Sequence, residues 1–511
     1  GSSDGILLRG GSATLDGCTI SDCSTGLNVE GDASPTVKNC VFKDLFYGTL
    51  ITGDSAPSFS KCSFSASSTG AVSGGYGCHP SFRECTFEGN SVGAELGEGY
   101  PEVRDCVFRD NTDVGLWADT SDYEYCDQTQ LLAGNTVTNN GSYGVVLSPS
   151  AASQLSGQWT ISGNKHDELG LAGDVEHEVT LPVPPPGFVY VMMDSVAVLA
   201  GATLTIEPGV VVKLGKEDGR QAFLVVGGEL NAPGTAEAPI VFTSVHDDTV
   251  GGDIYSDGGA TAPSPGDWGA VVFQEGSTGA LEHCALRYGG GVVYDGFGRT
   301  STTSLLCSAS PRFTSCSVRY GSSDGILLRG GSATLDGCTI SDCSTGLNVE
   351  GDASPTVKNC VFSDSYAGAS CDGAANVVFS GCTFSRNEYG ANFGGSGTAS
   401  LASCVFRANS AFAVANSTTH DIPAGDGDWG TADTTAIDRM IYDQQDDPAC
   451  GRVLYLPIRT DNLPYSPPDF IRAWRQKTSA PTDLRMDVDG DGVVDHKDAL
   501  LIVEGFLQSH R

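Results

Sequence analysis

Apolar residues along most of this chain fall into one recurring hexad: an apolar residue, two variable residues, Cys, one variable residue and a second apolar residue. Val37 to Phe42 reads VKNCVF, Phe59 to Phe64 reads FSKCSF and Leu401 to Phe406 reads LASCVF. Counting Leu281 to Leu286, eleven copies occur. Their cysteines are evenly spaced. Cys316, Cys338, Cys360, Cys382 and Cys404 lie 22 residues apart, and Cys18, Cys40, Cys62, Cys85 and Cys106 are separated by 22, 22, 23 and 21. A period near 22 built from short strand-like runs predicts a solenoid.

The rest of each period sets the geometry. A polar stretch follows the hexad, then a Gly eight or nine residues past the Cys, then alternating apolar positions. Gly26 to Val29, Gly93 to Leu96, Gly115 to Trp117 and Gly390 to Phe393 all fit. Each coil therefore carries three short strands separated by bends. Asn, Gly, Lys, Asp or Ser precedes most ladder cysteines, where a bend calls for a left-handed backbone. Cys and the apolar residue two places later share a face, because strand side chains alternate. The predicted fold is all-β: a right-handed parallel β-helix with an inner column of Cys, Phe, Val, Ile and Leu.

A second repeat is longer. Residues 1–42 are identical to residues 321–362, an offset of 320, and the copies diverge from Lys43 and Ser363 onward. Exposed positions match as well as buried ones, so the identity reflects duplication of a large module rather than fold constraint. The chain opens inside a coil, which predicts a piece of a longer tandem array and association of coil ends between copies.

The predicted organisation has four parts. Residues 1–154 form the later coils of a first module, and 155–425 form a second module that closes with Ala413 to Asn416. Residues 426–480 connect, with a helix expected over Pro467 to Lys477, and 481–511 form a small module. Within the second module, the acidic stretch from His246 through Asp253 and Asp257 to Asp267 is expected to bulge from one coil as a loop.

Charge narrows the choice of partners. Asp and Glu number 63 against 28 Lys and Arg, a net charge of −35. That excess keeps a long solenoid soluble, excludes nucleic acid and anionic membrane as partners, and favours divalent cations. No run approaches the 18 apolar residues of a membrane-spanning helix. Eighteen cysteines would suggest disulfides in a small secreted chain. Ladder thiols on neighbouring strands should instead lie about 4.8 Å apart, beyond the roughly 3.5–4.5 Å between Cβ atoms of a relaxed disulfide. They are expected to pack as reduced, small apolar side chains. Pairing of Cys23, Cys78, Cys126, Cys307, Cys343, Cys371 and Cys450 stays open.

ATLTIEPGVVVKLG at 202–215, GTAEAPIVFTS at 234–244 and GDWGAVVF at 266–273 resemble the opening coils of right-handed β-helix modules in large secreted bacterial surface proteins. DWG at 428–430 and GRVLYLP at 451–457 look like the end of such a module. The resemblance covers about residues 1–457. It implies secretion and either an adhesive stalk or a polysaccharide lyase or hydrolase, since the fold hosts both.

The tail carries a metal motif. Asp487, Asp489, Asp491, Asp495 and Asp498 occupy positions 1, 3, 5, 9 and 12 of a twelve-residue loop, with Gly492 at 6 and the Val493 carbonyl at 7. This is EF-hand spacing, with Asp at position 12 instead of Glu, and it predicts Ca²⁺ as the ligand. The segment resembles a dockerin repeat. Dockerins carry two such loops; here no second carboxylate loop precedes the first, so a cohesin-like partner rests on half the pattern.

No catalytic residue is assigned. Asp44, Asp54, Glu95, Asp110 and Asp364 scatter over bends, and no carboxylate pair with a basic partner recurs on adjacent coils. Arg104 and Arg109 flank Cys106 as parts of a solvated face, and His283 precedes Cys284 as a bend residue. The expected function is a secreted structural or adhesive stalk with a calcium-braced end. Its partners would be its own copies, a cell surface or a polysaccharide. The alternative is a polysaccharide-active enzyme or scaffold.

Overall fold

The computed structural model describes residues 3–75, 77–97, 99–120, 132–217, 220–294 and 300–459. The Asp487–Asp498 loop, the expected helix over 467–477 and Cys126 lie outside them. The described chain is the predicted parallel β-helix. One 17-stranded parallel sheet runs its whole length, from Ile6–Leu8 to Val405–Arg407, and Asp428 bridges Val405 at a further level.

Each coil contributes three strands. In the coil around Cys40, Thr36–Lys38 precedes the cysteine, Val41–Lys43 follows it, and Tyr47–Thr52 carries the Gly. Two left-handed bends make the corners. The residue before the ladder Cys has positive φ throughout, as at Gly17, Asn39, Lys61, Glu84, Asp105, His283, Ser315, Asn359 and Ser403. The expected bend is therefore present, and it tolerates Lys and Glu as well as Asn and Gly. A second left-handed residue, four places after the Cys, went unanticipated: Asp22, Asp44, Ala66, Asp110, Asp364, Arg386 and Ala408.

The interior is a set of stacked columns. Phe42, Phe64, Phe87 and Phe108 stack face to face at 4.7–4.8 Å. Phe362, Phe384, Phe406 and Trp429 form an equivalent stack at 4.4–5.5 Å. Each buried ring contributes about 2–3 kcal/mol of apolar burial. The ladder cysteines are free thiols, and all are buried except the half-buried Cys18. Cys85 is pushed up to about 12, chiefly by hydrogen bonding to Cys106, so that thiol stays protonated. Of the other cysteines, Cys23, Cys307, Cys343, Cys371 and Cys450 are also free. Burial pushes Cys307 and Cys343 up to about 11.

The corner five residues past the Cys is a polar ladder. Asn111 accepts from the Asn90 backbone N–H at 3.0 Å, Asn140 from Asn111 at 3.1 Å and Asn164 from Asn140 at 2.9 Å. Asn387 and Asn409 repeat the arrangement at 3.1 Å. Buried amides in register satisfy the corner backbone that no strand pairs. Beside them runs the Gly column. A Cβ on Gly48 would lie 2.2 Å from the Gly70 carbonyl oxygen, and one on Gly368 would lie 2.6 Å from that of Gly390. Only Gly lets the coils approach this closely.

Two markers in the sequence stop before the solenoid does. The cysteine period ends at Cys106, but the coils of the described residues do not end there. Leu132–Ala133, Thr136–Thr138 and Tyr143–Leu147 form an ordinary coil. Asn135 fills the ladder position there, its side chain bonding the Cys106 N–H at 3.0 Å and the Val103 carbonyl at 3.0 Å. The cysteine marker vanishes while the column continues. Nor do Ala413 to Asn416 close the last coil. Ile441–Tyr442 pairs with that strand, and Ile422–Pro423 pairs with Val453–Leu454. Residues 426–459 thus cap the shaft, with a short helix at Thr434–Asp438.

The long sheet crosses the expected 154/155 boundary unbroken, but the sequence changes phase there. In the first part the Gly-bearing strands, such as Thr25–Val29, belong to the long sheet, and the strands after Cys form a separate seven-stranded sheet. In the second part the strands after Cys, such as Thr339–Ser341, join the long sheet, while Gly-bearing strands such as Thr345–Val349 move to an eleven-stranded one. The 42 identical residues are therefore presented one face apart around the shaft. The handover occurs where His166–Leu171 leads through Val175 and Glu178–Leu181 directly to Tyr190–Met192 in the same long sheet.

Candidate functional site: a pinned acidic loop

The handover zone also carries a set of shifted titratable groups, among them His166, Glu168 and Lys213. The long sheet passes from His166–Leu171 through Tyr190–Met192 and Val211–Leu214 to Ile240–Ser244. Val212 and Leu214 point inward, so Lys213 between them points outward. The loop after Ser244 does bulge as expected, running to the strand at Val271–Phe273, and it folds back over this outer face.

Lys213 anchors that loop. Its side chain has no exposed surface. Its Nζ donates to the Asp247 carbonyl at 3.0 Å and to the Gly252 carbonyl. Burial lowers its affinity for the proton, while Asp248, Asp247, Glu168 and Asp253 raise it. Asp247 is itself buried. It accepts from the Thr243 hydroxyl at 2.6 Å and the Thr249 N–H at 3.2 Å, with Arg287 at 3.8 Å. At the far end Asp267 accepts from Ser244 at 2.6 Å and from the Ser264 N–H at 2.9 Å. Val245 and Ile254 pack against Val189 and Val191, and Tyr255 rests on His246 at 5.4 Å and against His166 at 6.0 Å.

Glu168 is the group whose environment fits it least. It is 8% exposed, and its Oε2 has no hydrogen-bond partner. Burial, aided by Asp167 and Asp253, pushes its carboxyl up to about 7. His166 beside it is lowered, first by burial and then by Lys165, and so is neutral at neutral pH.

Asp248, Asp253 and Asp257 bring one carboxylate oxygen each within 4.8 Å of one another. Hard oxygens at that spacing could ligate a divalent cation. The loop already uses them. Asp257 accepts from the N–H groups of Gly259, Ala260 and Thr261 and from the Thr261 hydroxyl, at 2.7–3.0 Å. Asp253 accepts from Gly258 at 2.8 Å, and the Lys213 ammonium supplies positive charge nearby. The cluster reads as loop architecture.

Elsewhere, single carboxylates form ion pairs with arginines on adjacent coils. Arg386 makes two bonds to Asp364, at 2.7 and 2.6 Å. Arg109 meets Glu88 at 2.8 Å and Arg83 meets Glu102 at 2.6 Å. A 22-residue coil sets such partners one strand spacing apart, a relation hidden in linear order. These pairs are solvent-exposed, so water and salt screen them and they add little to stability. His283 is a bend residue, as expected, with φ of 46°. Lys213 and Glu168 were not singled out in the sequence. The signal was a lone charge at an outward position of an apolar strand, VVVKL, placed before an acid-rich loop.

Residues 4–167 and 301–422 match the family model described as right handed beta helix region. The chain belongs to this β-helix family. Residues 173–301, which contain Lys213 and the loop, match the pectate-lyase like beta helix domain. No curated protein matches the chain.

Proposed function

We propose that this protein is a secreted, rigid β-helix shaft that holds binding surfaces at a distance from a cell surface. The observation that carries this reading is the single 17-stranded sheet running through both duplicated blocks without a break. Hydrogen bonding along the axis makes such a sheet stiff, and duplicating a module adds length. Seventeen levels at about 4.8 Å give a shaft of roughly 80 Å. In this reading the Asp487–Asp498 loop binds Ca²⁺ and braces the attachment end, and copies of the chain are partners of one another. Solution scattering tests the shaft: a rod cross-section with a maximum dimension of at least the shaft length supports it, and a compact profile refutes it.

A second reading, polysaccharide cleavage, is favoured by one observation. Glu168 and Lys213 are shifted in opposite directions within or beside the pectate-lyase like segment, and such pairs mark acid–base sites. Its weakness is access, because Lys213 is sealed and both its bonds serve the loop. New reducing ends or unsaturated products from polygalacturonate or neutral glycans, lost in Lys213→Met, would establish it.

A further inference from the structure

Four aromatic residues climb one outer corner over successive levels of the last coils. Tyr366 precedes the strand Ala367–Cys371, Tyr389 opens Tyr389–Phe393, Phe412 opens Phe412–Asn416 and Tyr442 ends Ile441–Tyr442. Ring centroids are 5.4, 6.2 and 5.7 Å apart, with tilts of 60°, 38° and 57°. Tyr366 is 55% exposed, and the other three are half-buried. They are not core. The interior of the same coils is already filled by the Phe362–Phe384–Phe406–Trp429 stack. In the first block only the first ring is kept: Phe46, which corresponds to Tyr366 across the 320-residue offset, is also 55% exposed and meets Tyr47 of its own coil.

One exposed and three half-buried rings, one per coil, offer apolar surface every 5.4–6.2 Å along the axis. An extended hexopyranose chain offers one apolar C–H face per sugar at a comparable rise, with hydroxyls around it. Polar groups line the stripe. Glu388 acts on Tyr366, Asp447 and Asp446 act on Tyr442, and Gln444 and Gln445 are exposed beside it. Those carboxylates, on a chain of net charge −35, repel polyanions and select against uronate polymers.

We propose that this stripe is a docking track for an uncharged, extended hexopyranose polymer lying along the shaft, about one sugar per coil. The inference names a partner for the shaft reading and rests on it.

The test is native affinity electrophoresis of the full chain through gels containing hydroxyethylcellulose or polygalacturonate, with cellohexaose titrated against tyrosine fluorescence. Retardation by hydroxyethylcellulose is expected, insensitive to salt, with none by polygalacturonate beyond a blank gel. Tyr389→Ala with Phe412→Ala should weaken binding at least tenfold. Tyr366→Ala, at an exposed ring that no core residue needs, should weaken it about threefold with an unchanged melting temperature. No retardation by hydroxyethylcellulose, retardation that survives both variants, or a preference for polygalacturonate overturns the track. The scattering length is indifferent to these outcomes, so the shaft reading fails separately.

Discussion

Glu168 makes the pinned loop sensitive to pH in a direction that can be worked out. Its carboxyl titrates at about 7 in the fold, against an ordinary value of 4.5. Below pH 4.5 it is protonated whether the region is closed or open, and ionisation costs nothing. Between 4.5 and 7 the open form releases its proton while the closed form keeps it, so the closed form loses stability as pH rises. Above 7 the full cost is present. A difference of 2.5 units sets a ceiling of about 3 kcal/mol. The Lys213 attraction is already contained in that shift, and partial hydration of the carboxyl reduces the ceiling to about 2 kcal/mol. The facing groups are Asp167, Asp253, Lys213 and His166.

Glu168→Gln removes the charge and keeps the shape. Hydrogen exchange read by mass spectrometry on peptides covering 166–171 and 245–267 is the suitable assay, since a long solenoid opens locally and not as one unit. After correction for intrinsic exchange, opening of the wild-type peptides should rise about tenfold between pH 5 and pH 8. The variant should stay nearly flat and match the wild type at pH 5. Many other carboxylates titrate in this range, so the comparison with the variant isolates Glu168. Parallel pH dependence in the two proteins would refute the reasoning.

Other predictions follow from the columns and corners. Cys360→Arg should destabilise the surrounding coils by several kcal/mol, because it buries an unpaired charge; proteolysis between residues 330 and 390 reads this out. Ala66→Gly should stabilise by about 1 kcal/mol, since Ala66 holds φ of 50° without need of its methyl, and a raised denaturation midpoint checks it. Gly368→Ala should destabilise by more than about 2 kcal/mol through its approach to the Gly390 carbonyl, seen as a lowered midpoint. Asp487→Ala should abolish Ca²⁺ protection of the tail from protease, and protection that is insensitive to chelator would sink the calcium loop.

The sequence was most legible where one residue type answers to one geometric need. The Cys column, the Gly corner and the apolar residue two places past Cys follow from alternation and close approach, and all were read correctly. Legibility failed where a different residue met the same need. Asn135 continues the Cys column by bonding the backbone of the preceding coil at Val103 and Cys106, so a search for thiols stops one coil early. The second left-handed bend was hidden because Ala66, Arg386 and Ala408 carry no turn signature; stacking on neighbouring coils overrides a local cost of about 1–2 kcal/mol each. The pinned loop was legible as an insertion, but its anchor Lys213 lies 34 positions before Asp247 (247 − 213), and only the coil geometry brings them together.

The change of phase bears on why the site lies where it does. Coils of one repeat class stack without interruption as long as equivalent strands stay in one sheet. Between residues 166 and 192 the chain returns to the long sheet after a different number of strand roles, so Gly-bearing strands give way to strands of the post-Cys type. Val191, Lys213 and Thr243 succeed one another at one outward position. Outward positions vary in the regular coils too, as at Ser65, Glu88 and Arg109, but there they stay in solvent. The buried lysine, the ill-placed glutamate and the docked loop all sit where the phase changes. A phase change in a solenoid is therefore a place to look for chemistry. The identical blocks on either side, turned one face apart, give the shaft two orientations of the same surface.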